Sequence, residues 1–253
     1  MKYQKLRRLN LYMAAAHGIQ AIALLLLSSD FSRTITTNYL KFDNTTETLI
    51  STTRDLFDFP FALGVAGFSL LSMTFHLLIA TVWRENYERD LKRGINKYRW
   101  FEYSLSASLM IILIAILSGV FDLSTLLLMF GVTAIMNLMG LVMEVHNQET
   151  KETNWLSYWI GVLAGVLPWA VIAIYFWASA TAPAGTGGPP NFVYFIWVSI
   201  FLFFNSFAIN MALQYQKWGK WSDYLYGERV YIWLSLGAKS ILIWQIFAGT
   251  LQP

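Results

Sequence analysis

The sequence predicts one domain made of seven helices that cross a membrane. Of its 253 residues, 56% are hydrophobic and only 13% are charged, whereas soluble domains carry about 25% charged residues. The mean hydropathy is +0.47, and seven stretches each hold the roughly 20 apolar residues that a membrane-spanning helix needs. This composition excludes an ordinary soluble enzyme and a disordered protein. It also excludes a nucleic-acid-binding protein, which would show a clustered basic surface.

The predicted spans follow one another along the whole chain, so residues 1–253 form a single domain. The first span is not a cleavable signal peptide, because its apolar stretch is long and no small-residue cleavage pattern follows it. Asp122 or Ser124 is placed to cap the fourth helix, which follows the third almost directly. The seven spans are predicted over residues 9–29, 58–83, 97–120, 123–145, 155–179, 191–215 and 226–250.

The distribution of basic residues predicts the direction of the chain through the membrane. One side carries fourteen Lys and Arg residues, in the N-terminal segment and in the second, fourth and sixth connections. The other side carries three, namely Arg33, Lys41 and Arg54. Because basic residues accumulate in cytoplasmic connections, we expect a multi-pass protein of the cell membrane with a cytoplasmic N-terminus and an extracellular C-terminus.

Two connections have a distinct composition. Residues 30–57 form a long outer loop with two stretches rich in strand formers, residues 33–42 and residues 48–55. Residues 43–46 (DNTT) lie between these stretches and are typical of a turn. The loop is therefore predicted to be a β-hairpin over the outer face. Residues 180–190 (ATAPAGTGGPP) are predicted to be an uncharged loop rich in Gly and Pro.

Two charged side chains lie inside predicted spans, where a charge costs about 2.5 to 3.5 kcal/mol on insertion scales. Lys239 is near the middle of the seventh span, and Glu102 is in the cytoplasmic half of the third. One interpretation is a structural ion pair, although isolated buried ion pairs stabilise proteins poorly. The other is an amine that forms a Schiff base with a carbonyl compound and needs a carboxylate as counter-ion. Ser235, one turn before Lys239, is placed to hydrogen-bond either group.

The segments that contain these residues resemble one known family. Residues 99–104 (RWFEYS) and residues 235–240 (SLGAKS), the latter followed by Trp244 and Gln245, resemble the third and seventh helices of heliorhodopsins. The predicted orientation, with a cytoplasmic N-terminus, resembles that of the family as well. The resemblance covers essentially the whole chain. It implies all-trans retinal bound covalently to Lys239, Glu102 as its counter-ion, and a homodimer.

Two histidines are expected in the same layer as Glu102. His17 is in the first span with Gln20 on the same face, and His76 is in the second span with Ser72 one turn before it. Taken singly, each histidine is more often a hydrogen-bonded core residue. Together with Glu102 they indicate a polar cavity that accepts a proton, and the family resemblance implies the same arrangement. No spacing such as His-x3-His indicates a metal site.

Arg99 and Glu228 are both expected at the cytoplasmic mouth of the bundle. An arginine–carboxylate pair there would close the polar cavity to bulk water. The alternative is that Arg99 is an ordinary interfacial arginine. The family resemblance favours the first interpretation, in which Arg99 and Glu228 form a plug at the cytoplasmic mouth. Tyr224 and Glu144 are weaker candidates for the same network.

A retinal pocket needs apolar and aromatic walls, and spans four to six supply candidates for them. The candidates are Met136 and Gly140 in the fourth span, Trp159 and Pro168 in the fifth, and Phe204 in the sixth. Each of these residues alone is equally consistent with plain helix packing.

The function expected from these residues is light sensing by a retinal protein, with an internal proton transfer and no net ion pumping. The protein is not expected to be an enzyme. Its expected partners are membrane lipid, a second copy of itself and a cytoplasmic signalling protein, with no nucleic acid. The alternative is a light-driven or light-gated proton or ion transporter. A transporter without retinal is a further alternative, although the inverted repeats and broken helices typical of transporters are not evident.

Overall fold

The structure is a computed structural model that describes residues 2–181 and 188–252. Within these residues, seven helices are long and apolar enough to cross a membrane, which confirms the predicted seven-helix fold. The direction of the chain through the membrane stays a prediction. Of the predicted Gly/Pro loop, residues 182–187 lie outside the described residues. Spans 1 to 7 are Lys2–Leu27, Phe61–Ala80, Lys97–Leu117, Leu123–His146, Leu156–Ala180, Asn191–Tyr215 and Tyr224–Leu251.

Span 1 begins at Lys2, seven residues before the predicted start of the apolar stretch. Its first turns are charged but still bury Leu6 and Asn10, and Leu6 packs against Tyr87 and Leu91. Hydropathy marks where the hydrocarbon layer begins, whereas a helix continues for as long as its backbone bonds and its buried face are maintained. The polar end of span 1 therefore extends beyond the apolar layer.

The predicted β-hairpin is present as strands β1 (Ser32–Asp43) and β2 (Thr48–Pro60), which pair antiparallel. Strand β2 runs five residues further than the predicted strand stretch, so span 2 begins at Phe61. The backbone N–H of Thr36 donates to the carbonyl of Phe121 at 2.9 Å, which fastens the hairpin to the connection between spans 3 and 4. Both faces of the hairpin are largely exposed, and the pairing is held mainly by backbone hydrogen bonds.

Asp122 lies in that short connection and caps span 4. Asp122 and Ser124 were the two residues predicted as alternatives for this cap. Its carboxylate accepts from the Thr125 backbone N–H at 2.9 Å and from the Ser124 hydroxyl. A second carboxylate oxygen accepts from the backbone N–H of Asn38 at 3.3 Å. The hydrogen bonds from Ser124 and Thr125 lower the pKa of Asp122. One side chain therefore joins the cap of span 4 to the hairpin.

The sequence analysis did not predict the short helix Arg84–Lys92 between spans 2 and 3. Most of its side chains are charged, and it buries only Tyr87, Asp90 and Leu91. With so few apolar residues it gives no hydropathy signal. Its buried stripe packs against spans 1 and 7 and brings Tyr87 to the polar end of the bundle.

Apolar and polar buried residues occupy opposite halves of the bundle. The largest apolar core lies in the half next to the hairpin, and it includes Phe61, Ile114, Leu242 and Leu251. The half that contains the N-terminus buries most of the charged and amide side chains. A candidate site therefore lies in this polar half, which the charge distribution predicts to be cytoplasmic.

Candidate functional site

The centre of the site is an ion pair between spans 7 and 3. Lys239 Nζ donates to Glu102 Oε1 at 3.0 Å and to Ser235 Oγ at 2.8 Å. Ser72 Oγ, from span 2, donates to the same Glu102 oxygen at 2.6 Å. Lys239 is 3% exposed and Glu102 is 5% exposed. Because neither charge reaches bulk water, removal of one would leave the other buried without compensation.

Helix geometry explains why these side chains meet. Ser235 and Lys239 are four residues apart and therefore lie on the same face of span 7. The Lys239 side chain extends back towards the start of its helix, which places the amine closer to the level of Glu102. Lys239 Nζ also lies 5.1 Å from the centre of the Tyr103 ring, within the range of a cation–π interaction. The amine is thus held by contacts from span 3 and from its own span 7.

The two predicted histidines face each other beside this pair. The rings of His17 and His76 are stacked, with centroids 5.8 Å apart and planes inclined by 10°. His17 is fully buried and His76 is 9% exposed. Ser69 Oγ donates to the His17 backbone carbonyl at 2.9 Å and so joins spans 1 and 2 at this level. Gln20 donates to the Ala16 carbonyl at 3.3 Å, and no hydrogen bond of the described residues joins it to either histidine.

Asn10 is a member of this layer that the sequence analysis did not name. It is fully buried, and its Oδ1 lies 2.7 Å from His76 Nδ1. Asn10 precedes His17 by seven residues, so the two side chains lie on the same face of span 1. The spacing of these two polar residues within an apolar helix could have identified Asn10 from the sequence.

A second buried ionic group closes the N-terminal end of the bundle. Arg99 forms ion pairs with Glu144 of span 4 and Glu228 of span 7, and all three side chains are buried. Tyr224 Oη donates to Glu144 at 2.9 Å. The structure therefore brings together all four residues predicted for the plug.

Three further residues complete this group. Trp100 Nε1 donates to Glu144 at 2.7 Å, and Asn96 Nδ2 donates to Glu228 at 2.7 Å. Tyr87 Oη donates to Glu228 at 3.1 Å, and burial together with the charge of Glu228 raises the pKa of Tyr87. Asn96 caps span 3, a position where asparagine is favoured, so a capping signal was available for it. Tyr87 gave none.

A small cavity separates the central ion pair from the plug. It has a volume of about 30 Å³, and its lining includes Asn10, His76, Arg99, Glu102 and Glu228. A cavity of this size holds one or two water molecules when polar groups line it. The arrangement provides a short polar compartment with carboxylates at both ends and a histidine in its wall.

The apolar pocket lies on the other side of Lys239. One cavity of about 50 Å³ is lined by Lys239, Met110 and Ala238, and a neighbouring cavity of about 100 Å³ is lined by Trp100, Gly140 and Gly161. Both cavities share the residues Tyr103, Met136, Asn137, Phe204 and Phe207. The two cavities therefore adjoin each other, and together we call them the groove, which extends from the amine to residues of span 5.

Three of the five predicted pocket residues line this groove, namely Met136, Gly140 and Phe204. The prediction for Trp159 is wrong, because this side chain is 62% exposed and faces outwards from span 5. Pro168 is buried inside span 5 but lines neither cavity. The prediction failed for Trp159 because hydropathy does not distinguish the lipid-facing side of a span from the side that faces the groove. The role of Pro168 stays a prediction.

The residues present fit a long conjugated aldehyde. The groove is walled by aromatic and methionine side chains and has one primary amine at its end. A carboxylate is already in contact with that amine, as a protonated imine requires. Within residues 2–181 and 188–252 there is no cluster of three or more His, Asp or Glu residues that could hold a metal ion.

The sequence also matches a known protein family. A family model described as heliorhodopsin matches residues 6–251, which is nearly the whole chain. No curated protein is similar to this sequence.

Proposed function

This chain belongs to the heliorhodopsin family, the light-responsive multi-pass membrane proteins of the rhodopsin type that carry retinal, and we propose that it binds all-trans retinal covalently through Lys239. Glu102 is the proposed counter-ion, and the groove from Met110 to Gly161 is the proposed pocket. One observation carries this proposal: Lys239 Nζ lies 3.0 Å from Glu102, and Lys239 lines an apolar groove.

When bound to Lys239, retinal would supply a light-driven isomerisation next to the Lys239 nitrogen. In the dark, Glu102 and Ser235 hold the proton of that nitrogen. Glu102 Oε1, 3.0 Å from that nitrogen, is the nearest carboxylate acceptor for the proton, and Ser72 donates a hydrogen bond to the same oxygen. The polar compartment then offers His76, with His17 stacked on it, as the next acceptor.

We propose that this proton stays inside the protein. Arg99, held by Glu144 and Glu228, blocks the N-terminal end of the compartment with three buried charges. Towards the hairpin, the described spans carry no charged side chain beyond the level of Lys239, and the core there is apolar. A proton on the Lys239 nitrogen therefore meets no charged relay in the described part of that half. Sensing is favoured over pumping for this reason.

The family is of the rhodopsin type, and we propose that this member acts by signalling and not as an enzyme. The proposed topology has a cytoplasmic N-terminus, as the fourteen basic residues on that side indicate. A homodimer, contact with membrane lipid and a cytoplasmic signalling partner are likewise proposed, as the family resemblance implies.

The proposed attachment site is tested by adding retinal to the expressed protein and recording the visible spectrum. The Lys239→Ala variant should insert into the membrane and form no pigment, because the only amine in the groove is gone. Lys217→Ala is the matched control, because Lys217 is an exposed residue in the connection between spans 6 and 7. A coloured Lys239→Ala protein would overturn the proposal.

The proposed proton path is tested in vesicles that contain the pigment. Illumination should give a transient internal proton transfer and no sustained current of protons or other ions. The paired variant His17→Ala with His76→Ala should slow or reroute the transfer while the pigment still forms. A steady light-driven pH change that a protonophore abolishes would favour the ion-translocating alternative.

A further inference from the structure

We propose that Asn10 is a positioning residue that fixes the neutral His76 ring as the tautomer protonated on Nδ1. The consequence is that Nε2 of His76 is the atom that accepts the proton inside the polar compartment. This inference rests on the proposed function, in which His76 is a proton acceptor, and adds the residue that orients it.

The orientation of the Asn10 amide follows from its second hydrogen bond. Asn10 Nδ2 donates to the Leu6 backbone carbonyl at 3.0 Å, so Oδ1 is the atom that faces His76. A rotated amide would bring its oxygen against the Leu6 carbonyl oxygen, and two acceptors in contact in a buried site are unfavourable. The amide is therefore anchored by its own helix.

An acceptor oxygen at 2.7 Å from His76 Nδ1 requires a proton on that nitrogen. In a neutral imidazole only one nitrogen carries a proton, so Nε2 presents a lone pair. Nε2 makes no hydrogen bond to the part of the chain that the structure describes. His76 lines the same compartment as Glu102, so the free lone pair belongs to a residue in the wall of that compartment.

His17 provides the contrast. Neither of its ring nitrogens has a hydrogen-bond partner among the described residues, so nothing there selects a tautomer. The two rings stack on each other, yet only His76 is held by a fixed acceptor. Asn10 therefore distinguishes the two histidines and makes His76 the oriented one.

The tautomer can be measured in the dark, without any light-driven step. The chain has three histidines, so ¹⁵N labelling of histidine gives a simple NMR spectrum, and the signals lost in His76→Gln assign the residue. We expect His76 in the wild-type pigment to be protonated on Nδ1. In Asn10→Leu the ratio of the Nδ1–H to the Nε2–H form should fall by about fivefold, which corresponds to one net hydrogen bond of about 1 kcal/mol.

Two further variants make the test decisive. Asn10→Asp keeps an acceptor oxygen near Nδ1 and should keep the Nδ1–H form, which also covers the case in which Asn10→Leu does not fold. Asn205→Leu is the matched control, because Asn205 donates to the Phe201 carbonyl in its own helix at 2.8 Å and is exposed. A His76 protonated on Nε2 in the wild type, or a ratio unchanged in Asn10→Leu, would overturn the proposal.

The kinetic consequence separates this inference from the proposed function. Asn10→Leu should form a pigment of the same colour. After a flash it should transfer the proton more slowly by the factor, about fivefold at most, by which the NMR population of the Nδ1–H form has fallen, because fewer molecules start in the accepting tautomer. If the NMR ratio changes and the His76→Gln variant transfers the proton normally, the orientation by Asn10 stands and the acceptor role of His76 is wrong. If the ratio does not change, the orientation itself is wrong.

Discussion

The substitution Gly140→Ala tests whether Trp100 joins the groove to the plug. A methyl group built on Gly140 would overlap three ring atoms of Trp100. Trp100 cannot move away freely, since its ring packs on Tyr231 with centroids 5.8 Å apart and its Nε1 donates to Glu144 at 2.7 Å. Gly140→Ala must therefore strain the packing of the Trp100 ring and break its hydrogen bond to Glu144 in the plug.

The magnitude follows from three terms. Overpacking a filled site costs about 1 to 3 kcal/mol, and loss of a hydrogen bond to a charged acceptor costs about 1.5 to 3 kcal/mol. The gain in helix propensity from Gly to Ala offsets about 1 kcal/mol. The expected net loss of stability for Gly140→Ala is about 1.5 to 5 kcal/mol, which corresponds to a fall in Tm of roughly 3 to 20 °C at about 2 to 4 °C per kcal/mol.

Gly131 is the matched control in the same span. A methyl group there meets nothing within 4 Å, so Gly131→Ala should raise the Tm by about 2 to 4 °C through propensity alone. The assay is the loss of visible absorbance of the pigment on heating in detergent micelles. The reasoning would be refuted if Gly140→Ala were as stable as Gly131→Ala.

Three other predictions concern charged groups. Glu102→Gln removes the charge next to Lys239, so the spectrum should shift to the red or collapse to a near-ultraviolet species near neutral pH; an unchanged colour and pH titration would identify another counter-ion. Arg99→Lys cannot bridge Glu144 and Glu228 with one ammonium group, so the yield of folded pigment should fall, and a wild-type yield would contradict the plug. The pKa of Asp122 is lower in the fold than its ordinary value, so its contribution to stability is present above the ordinary pKa and is lost as the pH falls through the folded pKa. Asp122→Asn should therefore flatten the decline of Tm between about pH 5 and pH 3. An equal decline in the variant and the wild type would show that this cap does not contribute.

The membrane class, the seven spans and the hairpin were all predictable from the sequence. Each of these features rests on a local property, either the length of an apolar stretch or the residues of a turn. The short helix Arg84–Lys92 was missed for the same reason, since its stability comes from burying Tyr87 and Leu91 against other spans. Hydropathy records no such contact.

The central residues Lys239 and Glu102 were predictable because a charge in an apolar span is costly and therefore conspicuous. Asn10 was less conspicuous because placing a neutral amide in an apolar span costs less free energy than placing a charge there. Its spacing of seven residues from His17 was nevertheless visible in the sequence. Trp159 shows the opposite failure, where an aromatic residue in a span was assigned to the pocket and the structure turns it outwards.

The sequence by itself determined what each span contains: its length, its buried charges and the concentration of polar residues in one half of the bundle. The tertiary structure decided which of those residues meet. The ion pair of Lys239 with Glu102, the contact of Asn10 with His76 and the two carboxylates on Arg99 all join different helices. Rotation of each helix about its axis sets these contacts, and that rotation depends on the packing of its neighbours and not on its own sequence.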